Sequence, residues 1–222
     1  MLTRHYPLYH LSSLVLSILA LILLQPFDET SPPSNRSHLV SFLVFSCQLI
    51  RLIIFSRSKP SHKSLLTCFQ CEMPFVMKFS DGSIAMIFTI ISIMFLVILA
   101  LGGPLLSDFD QSLSLAVIIS SLAFLPSLFT KQLLSEIRGE LILEYLNKPF
   151  YKFSNLWILS LSLTMQFTLI GAWFGAFWLK LDWITPWRIY PIPSVMGALI
   201  FHGLACIFSI CLASFRNQKC HP

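Results

Sequence analysis

A chain of 222 residues with 55% hydrophobic and only 11% charged side chains, at a mean hydropathy of +0.76, cannot cover a water-soluble globule, because soluble domains carry about 25% charged residues. The net charge of +5 is spread along the chain rather than gathered on one face, which excludes a nucleic-acid-binding domain. What remains is an all-α, polytopic integral membrane helix bundle of about six transmembrane helices in a single domain, since each span needs about 20 apolar residues and no backbone polar group can stay unpaired in lipid.

The first apolar run, 8–24, is followed by "QPFDET" rather than a small-residue cleavage site, so it reads as an uncleaved span. The loop to residue 38 carries Asp28, Glu29, three prolines and an N-x-S sequon at Asn35. That asparagine lies about four residues before the next span, too near the membrane to favour glycosylation. The second run, 39–55, contains one charge, Arg51. An arginine at a span's centre costs about 2.5–3.5 kcal/mol. Arg51 lies one turn from the end and reads as an anchor whose side chain reaches the headgroups; an intramembrane functional charge is the alternative.

Cys68 and Cys71 stand in C-x-x-C spacing in the next loop, with only His62 nearby. Zinc takes four ligands, so no metal site is expected. Cys47, Cys206 and Cys211 fall inside spans, where thiols act as small hydrophobes. The third run, 84–101, leads into "GGPLLSDFDQS", a tight turn holding Asp108 and Asp110; its glycines permit unusual backbone angles and its proline ends a helix. After the fourth run, 113–129, Leu133, Ile137, Leu141 and Tyr145 recur every four residues opposite Glu136, Glu140 and Glu144. Opposed stripes of this kind predict an amphipathic helix over about 131–146 lying on the membrane, its acids forming a solvated face.

The last two runs, 156–178 and 192–213, flank the aromatic turn "LKLDWITPWRIYP". Gly171 and Gly175 form G-x-x-x-G, with Ala172 and Ala176 repeating the spacing; Ser194 and Ala198 match them in the last run. A strip of small residues lets another helix approach closely. Either the last two spans pack as a hairpin, or a separate membrane protein docks there. Trp173, Trp178, Trp183, Trp187 and Tyr190 occupy interface depth, where amphipathic rings are favoured.

Orientation follows from lysine and arginine. With a cytosolic N-terminus, twelve of the fifteen fall on the cytosolic side and only Arg36, Lys180 and Arg188 on the other. The positive-inside rule therefore puts both termini in the cytosol and the aromatic turn across the membrane.

Gly171, Ala172, Trp173, Gly175, Ala176, Phe177, Leu181, Asp182, Trp183, Pro186, Trp187 and Pro191, with "GGPL" at 102–105, resemble the signature of the Pig-F family of glycosylphosphatidylinositol (GPI) anchor synthesis. The likeness covers about residues 100–214 and departs from the family at Trp178, Lys180, Ile184, Thr185 and Tyr190. The resemblance implies a noncatalytic subunit, resident in the endoplasmic reticulum membrane. It would bind and stabilise the GPI ethanolamine-phosphate transferases acting on the second and third mannose, contacting membrane lipid but no nucleic acid. Gly171, Gly175, Asp182, Trp183, Pro186 and Trp187 are then the candidate partner interface, with Asp182 serving either as a local cap or as an acceptor from the partner.

No catalytic residue, cofactor or metal is expected. The carboxylates Asp28, Glu29, Asp108, Asp110 and Asp182, with His38, are scattered over three short loops, and no nucleophile or phosphate-cradling motif accompanies them. The alternative function is a small lipid or solute transporter, or scramblase, of the same membrane. Transporters line a route with ionisable groups, for which Arg51, His202 and His10 are the candidates; a helix-packing hydrogen bond is the other reading of His202.

Overall fold

The computed structural model describes residues 2–24, 33–57, 81–104, 108–128, 156–179 and 189–218. Every regular element among them is a helix: α1 (Leu2–Leu24), α2 (Pro33–Arg57), α3 (Asp81–Ala100), α4 (Phe109–Ile119), a π-helical turn (Ser120–Phe124), α5 (Leu125–Leu128), α6 (Leu156–Trp178) and α7 (Ile192–Gln218). Among the described residues, five stretches are long and apolar enough to cross a membrane: Tyr6–Leu24, Ser37–Ile54, Phe109–Ser127, Leu159–Trp178 and Ile192–Phe215. The remaining expected span, within α3, is a shorter apolar stretch, Ile84–Ala100. The expected surface helix over 131–146 and the Cys68–Cys71 pair lie outside the described residues.

Local chemistry sets the helix ends. α2 begins at Pro33, six residues before the apolar run; proline suits a first helical position because its missing N–H has no intrahelical role there. Asn35 and His38, expected in a loop, are thus helical. α3 ends in a Schellman motif: the Gly103 N–H donates to the Ile98 carbonyl (2.9 Å) and the Gly102 N–H to that of Leu99 (3.0 Å). Gly102 takes φ 96, a left-handed angle that suits glycine, and Pro104 prevents resumption of the helix. The fourth span bulges at Ser120–Phe124, where the Leu125 N–H bonds the Ser120 carbonyl five residues back. Pro126 follows directly. Its ring would collide with the carbonyl four residues earlier in a regular helix, and the wider turn relieves that collision.

Burial is patterned for lipid rather than water. On α1, Leu8, Leu11, Val15, Ile18, Leu19 and Ile22 face outward, while Tyr6, Tyr9, His10, Ser13, Leu16, Ser17 and Ala20 face inward. The outward stripe is purely aliphatic and the inward one carries the polar groups, the reverse of a helix on a soluble core. Lipid removes the hydrophobic drive for helix association, leaving close packing and hydrogen bonds. Buried hydroxyls close on their own helices, as in Ser17 to the Ser13 carbonyl (3.1 Å), Ser121 to that of Ile118 (2.9 Å) and Thr164 to that of Leu161 (2.9 Å).

α7 is the hub. It packs antiparallel against α6 on one side and α1 on the other; α2 packs on α1 and α4, and α3 on α4. Ala20, Val40, Val44, Leu115, Ile118, Leu122, Val195 and Leu199 form the apolar centre of the bundle.

Candidate functional site

The glycine strip of α6 faces α7 of the same chain. A Cβ added at Gly175 would fall on the Pro193 carbonyl oxygen, 2.8 Å from its carbon and 2.9 Å from Ser194 Cα. One added at Gly171 would strike the Gly197 carbonyl and sit 2.5 Å from Phe201 Cβ. The approach is reciprocal, since a Cβ on Gly197 would meet the Gly171 carbonyl and lie 3.0 Å from Gly175 Cα. Of the two arrangements open from the sequence, this is the hairpin. The strip is filled internally, so a second protein's helix has no room on it. Ser194 and Ala198, matched to the strip by spacing, are buried, but the closest backbone meets Gly197. The pairing of Pro193 and Gly197 lies one residue from that of Ser194 and Ala198, and spacing alone does not distinguish the two registers.

Asp182, Trp183, Pro186 and Trp187 lie outside the described residues; the helix ends that bracket them do not. After the turn, Tyr190 lies 3.0 Å from Ser112 Oγ, and Ser112 Oγ donates to the Pro104 carbonyl (3.0 Å). A hydroxyl has one proton. Because that of Ser112 goes to Pro104, the Tyr190 O–H is the donor to Ser112. Burial raises the Tyr190 phenol above its ordinary pKa, which keeps the proton in place. The two segments that carried the family resemblance, 102–105 and 171–191, are therefore tied at one end of the bundle.

Towards the opposite end lies a buried polar cluster that the sequence showed only in part. His202 bridges three helices, with Nε2 2.8 Å from Ser13 Oγ and Nδ1 3.0 Å from Thr168 Oγ1. Thr168 already donates to the Thr164 carbonyl at 2.6 Å, so it must accept from Nδ1–H. Nε2 then accepts from Ser13, and a neutral imidazole has both nitrogens satisfied. This is the packing bond that was the alternative to a transport role. Nearby, Tyr6 donates to the Ser209 carbonyl (3.2 Å), and His10 packs between the rings of Tyr6 and Tyr9 at 4.7 and 5.3 Å.

Arg51 belongs to this cluster, which corrects its reading as an outward anchor. It is 7% exposed, with its guanidinium carbon 4.3 Å from the centre of the Tyr9 ring. Its Nε and Nη1 have no hydrogen-bond partner among the described residues, nor do the two amide atoms of Gln48 one turn earlier. A cation on a ring returns about 2 kcal/mol when desolvated, whereas burying the ion costs several kcal/mol. The stacking does not close that gap. Depth along the helix was legible, but the direction in which the side chain points was not. Gln48, Tyr6 and Tyr9 were missed because single polar residues in an apolar run carry no periodic signal. Among the described residues, no group of three His, Cys, Asp or Glu is placed to hold a metal ion.

A family model described as GPI biosynthesis protein family Pig-F matches residues 36–210. The chain is 31% identical over 138 residues to glycosylphosphatidylinositol anchor biosynthesis protein 11 of Yarrowia lipolytica, covering 60% of this chain and 57% of that protein. It is 31% identical over 115 residues to a PIGF/3-ketodihydrosphingosine reductase fusion protein of Schizosaccharomyces pombe, covering 50% of this chain and 21% of the fusion. A mouse protein described as GPI ethanolamine phosphate transferase, stabilizing subunit, is 36% identical over 56 residues, covering 25% of this chain and 26% of its own length. The chain thus spans between about a fifth and three fifths of these relatives' lengths. No solved structure matches it.

Proposed function

The chain belongs to the GPI biosynthesis protein family Pig-F, and from that premise we propose that it is a noncatalytic membrane subunit. It binds and stabilises the ethanolamine-phosphate transferases that add phosphoethanolamine to the second and third mannose of the GPI precursor, in the endoplasmic reticulum. The observation that carries this reading is the family match across 36–210, which contains both segments joined through Tyr190, Ser112 and Pro104. The mouse relative's description as a stabilizing subunit supports it.

The partner surface is not the glycine strip. It is the outward ridge of α6, where Trp173 (63% exposed) and Phe177 (57% exposed) project, together with Asp182, Trp183, Pro186 and Trp187, which follow it in the sequence. Rings one turn apart on a helix form a continuous ridge, and aromatic residues are favoured as contact anchors. Both termini are cytosolic and the 180–188 turn is lumenal, as the distribution of lysine and arginine supports. The whole chain acts as one domain.

Affinity purification in mild detergent is expected to retain a transferase. The Trp173→Ala, Phe177→Ala double variant is expected to lose it by roughly tenfold or more while keeping its own expression level, since such anchors are worth about 2 kcal/mol or more. A transferase level unchanged by depletion of the chain would refute the reading. A cysteine at Lys180 is expected to label only in permeabilised membranes, and labelling in sealed cytosol-facing membranes would reverse the orientation. The burial of His10 and Arg51 inside the bundle favours one second reading, a lipid or solute transporter. Liposomes holding this protein alone separate the two, because only the transporter shows flux.

A further inference from the structure

We propose that Arg51 and Gln48 form a binding site for the phosphate of a glycerophospholipid headgroup, entered from the end of the bundle at which α1 begins and α2 ends. The two side chains sit one helical turn apart on the inward face of α2, and both are buried. Gln48 Nε2 and Arg51 Nε and Nη1 are three donors without acceptors among the described residues. A guanidinium edge with an adjacent amide suits phosphate oxygens, because the planar fork engages two of them at once.

A phosphodiester is favoured over a free anion by depth and surroundings. Arg51 lies three residues inside the end of the apolar stretch Ser37–Ile54, about 4.5 Å at the helical rise. A headgroup phosphate reaches that level while its chains remain in the bilayer. Ile50 and Ile54, beside Arg51 on the same helix, are 56% and 61% exposed and offer an aliphatic surface for the acyl chains. Asp108 and Asp110 sit at the opposite end of the fold, where α4 starts; Asp81, the first residue of α3, is the described acid at the same end as Arg51. The guanidinium now rests on the Tyr9 ring; the phosphate takes up the nitrogens that the ring leaves without an acceptor. The site is independent of whether the chain serves a transferase.

The test uses the purified full-length chain in detergent and native mass spectrometry, with dioleoylphosphatidylcholine, dioleoylglycerol or inorganic phosphate added separately. Wild type is expected to retain one phosphatidylcholine, and neither of the others, at concentrations where Arg51→Gln retains it about tenfold less. Arg51→Lys, which keeps the charge but loses the fork, and Gln48→Leu are expected to fall between. They provide the measurement if Arg51→Gln does not purify as a monodisperse species. Equal retention by wild type and all folded variants overturns the site. Phosphate binding as well as the phospholipid overturns the lipid assignment. Glu72, Asp81, Glu136, Glu140 and Glu144 are carboxylates of this same chain; if their combined replacement by Gln or Asn raises phosphatidylcholine retention, an internal carboxylate is the natural partner and the proposal fails.

Discussion

Two helical glycines of α7 and its neighbour give a controlled measurement of how closely the final hairpin is packed. Gly175→Ala and Gly203→Ala make the same chemical change within helices, and each gains about 1 kcal/mol of helix propensity. Their surroundings differ. At Gly175 the new methyl meets backbone of α7, 2.8 Å from the Pro193 carbonyl carbon, which is part of the main chain and cannot rotate away. Restoring an ordinary contact near 3.4 Å to that carbon alone requires α6 and α7 to separate by about 0.6 Å, and the carbonyl oxygen, nearer still, requires more. A gap of that order forfeits between a quarter and a half of each affected dispersion contact, and overpacking costs about 1–3 kcal/mol or more. At Gly203 the methyl meets only Leu14 Cδ1, at 3.3 Å, the far end of a side chain able to shift. Gly175→Ala is therefore expected to destabilise by about 2 kcal/mol net, and Gly203→Ala to be neutral or slightly stabilising. In thermal unfolding of the detergent-solubilised chain, followed by tryptophan fluorescence, the first lowers Tm by about 4–8 °C. A Gly175→Ala protein melting at or above wild type, or a Gly203→Ala protein falling equally far, would show that the hairpin is not built on backbone contact at Gly175.

A double-mutant cycle on Ser13→Ala and His202→Leu is expected to give a coupling of about 0.6 kcal/mol and at most about 1.7, the range for hydrogen bonds inside membranes; zero coupling would mean that the 2.8 Å contact contributes nothing to holding α1 on α7. Tyr190→Phe removes the donor to Ser112 but keeps the ring, and is expected to cost about 1 kcal/mol. The same substitution in a Ser112→Ala background should then cost distinctly less, and an undiminished cost would place the role of the phenol elsewhere.

Much of the architecture was readable because hydropathy is a strong signal over twenty residues. Helix α6 occupies Leu156–Trp178 and α7 starts at Ile192, both within strongly apolar stretches of the sequence. The start of α2 was not readable, since "PSNRSH" lacks apolar character and becomes helical through its leading proline and its continuity with the span. The π turn was hidden too; it depends on a clash between Pro126 and its own helix, which leaves no mark on hydropathy. At the candidate site, spacing disclosed Gly171 and Gly175 but not what they face. That answer rests on the rotation of α7 about its axis, which brings Gly197 and Pro193 rather than Ala198 against them. Arg51 shows the same limitation, because its inward direction is set by the packing of α1 and α2.

The shortness of the apolar stretch in α3 also bears on the surrounding bilayer. Seventeen residues from Ile84 to Ala100 extend about 25 Å at 1.5 Å per residue. The helix is joined to the bundle chiefly along α4, with Phe88, Ile93 and Leu96 turned to the lipid, so lipid rather than protein must adapt to its length. Sterol-rich membranes near 32 Å must thin by several ångströms beside it, whereas one of about 27 Å fits with little deformation. Hydrophobic mismatch along this one helix thus favours a thinner bilayer beside it.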